Sequence, residues 1–95
     1  MVFSPQQVKF EFLSYIKEFG GSAKDWRIGT GGDAESAMFG ENEVDRERDI
    51  WLWKPTLSPA AAGIVLRYFT GQFGVPRTEN STAGPIVFLF KRQAS

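Results

Sequence analysis

A chain of 95 residues with eleven basic and eleven acidic side chains, no histidine and no cysteine is closed to the commonest catalytic chemistries. Without thiols it forms neither disulfides nor thiolate metal sites. Without imidazole it lacks the usual zinc ligand and the usual general base near neutral pH, leaving only oxygen-ligand cations such as Mg²⁺, which need clustered carboxylates.

The nine Phe, three Trp and two Tyr supply a core, since each aromatic buries about 150–250 Å². We expect a single domain over residues 1–95 with no disulfide and no metal to support it. A dedicated nucleic-acid binder carries a basic surplus, whereas this chain is neutral with a pI near 6.2. Its charge is segregated. Glu41, Glu43, Asp45, Glu47 and Asp49 outnumber Arg46 and Arg48, and the last segment leans basic through Arg77, Lys91 and Arg92. No run approaches the roughly 18 apolar residues of a membrane span, and no signal-peptide pattern opens the sequence. The expectation is a cytoplasmic protein that does not enter the membrane.

The first predicted element is a helix. Ser4 is an N-cap, Pro5 takes the first helical position and Gln7 completes a capping box. Val8, Phe12, Ile16 and Phe19 make one apolar stripe, and Gly20-Gly21 stops it, glycine entering the left-handed C′ conformation freely. Trp26-Arg27-Ile28-Gly29 reads as a short strand. Thr30-Gly31-Gly32 turns the chain, and Asp33 caps a short helix to about Gly40 with Ala34, Ala37 and Met38 as its apolar face. The charged Glu41–Asp49 stretch is a loop with room for a strand near Val44. Ile50 to Lys54 is apolar on both faces and reads as a central strand. Ser58-Pro59 opens a third helix, striped by Ala62, Val65, Leu66, Phe69 and Phe73 and closed by Gly74. A flexible polar loop, Pro76 to Pro85, leads to a last strand, Ile86 to Lys91.

The order α-β-α-β-α-β predicts an α+β fold, with α/β the alternative, in which helices pack a three-stranded mixed or antiparallel sheet.

The strand Trp26-Arg27-Ile28-Gly29, followed by a helix opening with Asp33-Ala34-Glu35 and running through Met38 to Glu41-Asn42, resembles a small bacterial group with a GIY-YIG-nuclease-like core. Ser58 to Gly74 is similar to the family's second helix and Ile86 to Lys91 to a closing strand. The resemblance spans residues 26 to 91, with the Ile-Gly turn and its helix as the specific part. A helix occupies the stretch where the family has its first strand. The resemblance implies a nuclease scaffold, yet its working residues are replaced. The helix arginine that stabilises the attacked phosphate aligns with Ala37 or, one position out, Ser36. The metal-holding glutamate aligns with Leu66, the tyrosine of the YIG triplet with Arg27, and a histidine with Asn42. Losing one such electrostatic donor costs about 10²–10³ in rate, so losing them together implies a scaffold without the activity.

Gly29-Thr30-Gly31-Gly32-Asp33-Ala34 also fits the dinucleotide fingerprint G-x-G-x-x-A. Asp33 would set a negative charge at the pyrophosphate, the helix is short, and Asp49 precedes the next strand instead of ending it. The glycines serve better as a turn, with an anion nest as the functional alternative. Glu43, Asp45, Glu47 and Asp49 alternate like a calcium loop but lack its sixth-position glycine and terminal glutamate. A solvated, self-paired loop fits them better. Trp51 and Trp53 share one face of their strand and read as core, or else as an aromatic surface for a partner. Arg27 on a short central strand is the stronger functional candidate, because charge there is otherwise costly. It could equally pair with Asp25 or Asp49.

These residues predict a non-catalytic binding or interaction module with no cofactor and no metal. Its partner is either a protein or a weakly held nucleic acid. The expected surface surrounds the glycine turn, through Arg27, Thr30, Gly31, Gly32 and Asp33, with Arg46 and Arg48 on the neighbouring loop. The alternative is a nuclease-like enzyme or weak nucleic-acid binder using displaced residues such as Arg46, Arg48 or Arg67.

Overall fold

Ser4 opens the first helix by the reciprocal pairing its sequence dictates. Its hydroxyl accepts from the Gln7 N–H at 3.2 Å, while the Gln7 side chain accepts from the Ser4 N–H at 2.8 Å. The helix α1 (Pro5–Phe19) buries Val8, Phe12 and Ile16 and ends at Gly20, whose N–H reaches the Ile16 carbonyl. The computed structural model describes residues 1–93. After α1 come strand β1 (Trp26–Gly31), a π-wound helix (Glu35–Glu41), strand β2 (Ile50–Pro55), helix α2 (Pro59–Tyr68) with a π-wound extension (Phe69–Phe73), and strand β3 (Ile86–Lys91). The fold is α+β, and among the described residues no helix is long and apolar enough to cross a membrane.

The sheet order is β1-β3-β2, with β3 antiparallel to both neighbours. The β1–β2 crossover leaves those strands parallel, and β3 enters between them. The central strand is therefore β3, where Val87 to Phe90 are all fully buried. This corrects the expectation that Ile50–Lys54 is central: β2 is an edge strand, and its residues are half-buried or, at Trp53, exposed. Ile50–Lys54 reads as central because it is apolar on both faces, a property that Ile86–Lys91 shares. Only β3 is apolar enough on both faces for full burial.

Side chains alternate across the sheet and divide the core in two. Trp26, Ile28, Val87 and Leu89 face α1 and α2, meeting Val8, Phe12, Ile16, Ala62, Val65 and Phe69. Phe88 and Phe90 face the other way, against Ala34, Ala37, Met38 and Val44, with Phe39 and Trp51 beside them. Val44 is thus a buried plug in an irregular segment. No strand forms between Glu41 and Asp49.

Both open edges of the sheet are guarded. On β2, the Tyr15 hydroxyl donates to the Trp51 carbonyl at 2.9 Å and the Phe3 N–H to the Pro55 carbonyl at 2.9 Å. On β1, the Pro76–Pro85 segment is held by a ladder instead of looping freely as expected. The Ile28 N–H donates to the Pro76 carbonyl (3.1 Å), the Thr78 N–H to the Ile28 carbonyl (2.9 Å) and the Thr82 N–H to the Thr30 carbonyl (3.0 Å). Such pairing satisfies edge groups that otherwise invite association. Gly84 permits the last step of this approach: a Cβ there would collide with the Gly31 carbonyl.

Candidate functional site

Where the Pro76–Thr82 segment, the C-terminal end of the π-wound helix and the end of β3 meet, an open cleft of about 440 Å³ forms. Arg27, Arg77 and Arg92 line it, together with Asn42, Thr78 and Phe90. Strand register explains the grouping. Arg27 is the β1 partner of Phe90, and Arg77 bridges to Ile28, the next residue along β1. Arg92 follows β3 and folds back so that its guanidinium carbon lies 5.1 Å from the Phe90 ring centre.

Asn42 supports the cleft from beneath. It is buried, and its side-chain N–H groups donate to the Ala37 carbonyl at 2.7 Å and the Asn80 carbonyl at 3.0 Å, while its amide oxygen accepts from the Thr78 hydroxyl. The Asn42 main-chain N–H also reaches Ala37, five residues back, so the last turn is π-wound around this one carbonyl. Glu43 then takes φ 53°, the sole non-glycine in the left-handed region among the described residues. This reversal closes the helix, with the Val44 N–H on the Met38 carbonyl at 2.8 Å.

Main-chain carbonyls hold each guanidinium. Arg27 donates to Lys24 and Trp26, both at 2.9 Å; Arg77 to Ser81 at 3.1 Å; Arg92 to Asn42 at 2.6 Å and Glu43 at 3.3 Å. A carbonyl fixes a guanidinium without cancelling its charge. Among the described residues, neither Arg27 nor Arg77 has a carboxylate within 4.0 Å, and Arg92 has Asp49 at 4.0 Å. The exposed Glu41, Glu43 and Glu79 also border the cleft, but their carboxylates make no hydrogen bond among the described residues. Arg27 and Arg92 continue into a smaller neighbouring depression with Lys24 and Asp25.

Only Arg27 of the sequence-predicted surface reaches this cleft. Thr30 is buried: its N–H donates to the Ser81 hydroxyl at 2.9 Å and its own hydroxyl to the Thr82 carbonyl at 2.7 Å. Gly31 is buried beneath Gly84. Gly32 and Asp33 are exposed, and the Asp33 carboxylate accepts the Ser36 N–H at 2.9 Å as a helix cap. That N–H, followed by the Ser36 side chain, holds the Asp33 carboxyl below its ordinary value. Arg46 pairs with Glu35 at 2.6 Å on the surface and stacks on Phe39, Arg48 is exposed on the acidic loop, and Arg67 is exposed on α2. The acidic loop folds on itself, with Asp45 accepting the N–H groups of Glu47 and Arg48 and Asp49 those of Asp45 and Gln93.

The positions that the resemblance aligns with nuclease residues do not meet. Ala37 packs under Phe88 and Phe90 on one face of the sheet; Leu66 packs against the α1–α2 core on the other. Among the described residues, no group of three or more acidic side chains stands close enough to hold a metal ion.

The sequence marked Arg77 and Arg92 only as a basic lean, gave Asn42 only as the place of a family histidine, and passed over Thr78. Asn42 closes the helix in the right-handed region, and the left-handed position that favours asparagine falls one residue later, at Glu43. The pairing of Asn42 with Thr78, 36 positions on, has no local signature. No protein-family model, curated protein or solved structure matches this chain.

Proposed function

We propose that the protein is a non-catalytic binding module that works through the Arg27–Arg77–Arg92 cleft. One observation carries the reading: three arginines line a single open cleft, their guanidiniums tethered to neutral carbonyls and, for Arg27 and Arg77, without a carboxylate partner among the described residues. Orienting groups before a ligand arrives lowers the entropy cost of binding. A volume near 440 Å³ lies within the range of small-ligand sites, about 300–1,000 Å³. The separation of Ala37 from Leu66 supports the non-catalytic half, because phosphodiester cleavage needs its charge-stabilising group and its metal ligand at one phosphate. On this reading the module acts in the cytoplasm.

The test is a cleavage assay combined with binding. Purified protein is incubated with short single- and double-stranded DNA, with and without Mg²⁺, and amide NMR follows the cleft. The expected result is no cleavage. Metal-dependent hydrolysis that survives repurification and is lost in a charge-removing variant of Arg46, Arg48 or Arg67 would establish the enzyme instead.

A further inference from the structure

We infer that the cleft is a site for a compact phosphate monoester, an inference that rests on its reading as a binding surface. The two signs of charge around the cleft are treated differently. Arg27, Arg77 and Arg92 are tethered at 2.6–3.3 Å to main-chain carbonyls. Glu41, Glu43 and Glu79 are exposed, with carboxylates that make no hydrogen bond among the described residues. The cations are therefore pre-positioned, whereas the carboxylates are exposed and held by no hydrogen bond among the described residues.

A guanidinium fork matches a pair of phosphate or carboxylate oxygens. One or two arginines suffice for a carboxylate. Three around one cleft suit the three terminal oxygens of a phosphate monoester, which carries about −1.5 to −2 charges at neutral pH. The same site discriminates against nucleic acid. An extended polyanion crossing the mouth would pass Glu41, Glu43 and Glu79, and the chain offers it no net positive charge. A single phosphate need approach only the guanidiniums. Arg27, the register partner of the buried Phe90, is half-buried, whereas Arg77 and Arg92 are exposed.

The left-handed Glu43 belongs to the same construction. Asparagine or glycine would hold that position with less strain. Both the Asn42 and Glu43 carbonyls are occupied by Arg92, so the reversed turn presents two acceptors that aim its guanidinium. The strain stands beside the cleft, as strain at binding sites often does.

The experiment is calorimetric titration at low ionic strength with O-phosphoserine, inorganic phosphate, acetate and a short single-stranded DNA, while ³¹P NMR watches the phosphoserine. Saturable binding of phosphoserine and phosphate is expected, at least about tenfold tighter than acetate, given the strength of charge-assisted hydrogen bonds. Arg27→Gln should weaken it by at least about tenfold. Arg77→Lys, which keeps the charge and removes the fork, should weaken it less without altering the thermal transition. Equal affinity for acetate, no saturable phosphate binding, or unchanged affinity in Arg27→Gln overturns the inference. Binding of DNA alone, with shifts at the cleft, overturns the ligand class and leaves the binding module standing. Release of inorganic phosphate from phosphoserine, lost in Arg27→Gln, overturns the non-catalytic reading and leaves the ligand class standing.

Discussion

On the α1–α2 face of the sheet, eleven buried apolar residues interlock in one cluster. On the opposite face six do, and the rest of the work falls to polar groups. The first face uses two α-helices, the second with a π-wound end that carries Phe69, a capping box and aromatic contacts such as Phe12 on Phe69, with ring centres 5.8 Å apart. The second uses a π-wound helix, a buried asparagine, a left-handed glutamate and arginines bound to carbonyls. Burial is non-directional and holds a face shut; hydrogen bonds fix particular atoms in particular places. The thinner face can therefore leave a cleft with ordered charge, which the thicker face has no room for.

Substitutions on the two faces should then differ in kind. The largest effect belongs to Phe12→Ala, which removes a fully buried ring and should cost about 3–5 kcal/mol. Chemical denaturation would register this loss, and the cleft of whatever folded protein remains should bind as before. Asn42→Ala should cost about 2–3 kcal/mol by leaving the Thr78 hydroxyl and the Asn80 carbonyl without their partner, while the Ala37 carbonyl keeps the main-chain N–H, and should disorganise the cleft as well. Adding Thr78→Val removes one orphaned group, so the double variant should be more stable than the sum of the two single changes predicts. Strict additivity would mean that the pair is not coupled and that the polar face owes nothing to it. Glu43→Gly should raise stability by about 0.5–1 kcal/mol by releasing the left-handed strain, visible as a higher transition temperature.

The smallest effect is the response to acid. Asp33 and Asp45 are held below their ordinary values by the N–H groups they accept, from Ser36 for the first and from Arg48 and then Glu47 for the second. Carboxyls lowered by folding stabilise the protein above their unfolded values, and that contribution is lost as pH falls through the lowered folded values. Amide shifts at Ser36 and at Glu47–Arg48 should hold steady down to the ordinary aspartate range and move only below it.

Much of the α1–α2 face was legible in the sequence because its signals are local. Ser4-Pro5-Gln7 and Ser58-Pro59 fix the helix starts, and Gly20 and Gly74 stand at the stops. The cap at Asp33 was legible for the same reason. Strand order was not: Ile50–Pro55 and Ile86–Lys91 are both apolar on two faces, and only their pairing with β1 separates edge from centre. The cleft was the least legible part. Its arginines come from three segments, brought together because β3 enters between β1 and β2 and because residues 76–82 run along β1. The glycine turn looked like the more open surface because nothing in its own residues foretells that Gly84 and Ser81 would cover Gly31 and Thr30.

On the proposed reading the arginine cleft, and not the glycine turn, is the binding surface. The most direct test is an NMR titration with inorganic phosphate at low ionic strength, following the arginine side-chain Nε–H signals together with the Gly32 and Asp33 amides. Saturable shifts at Arg27, Arg77 and Arg92 are expected, with Gly32 and Asp33 unmoved. Shifts at Gly32 and Asp33 with silent guanidiniums would contradict it and return the binding surface to the turn.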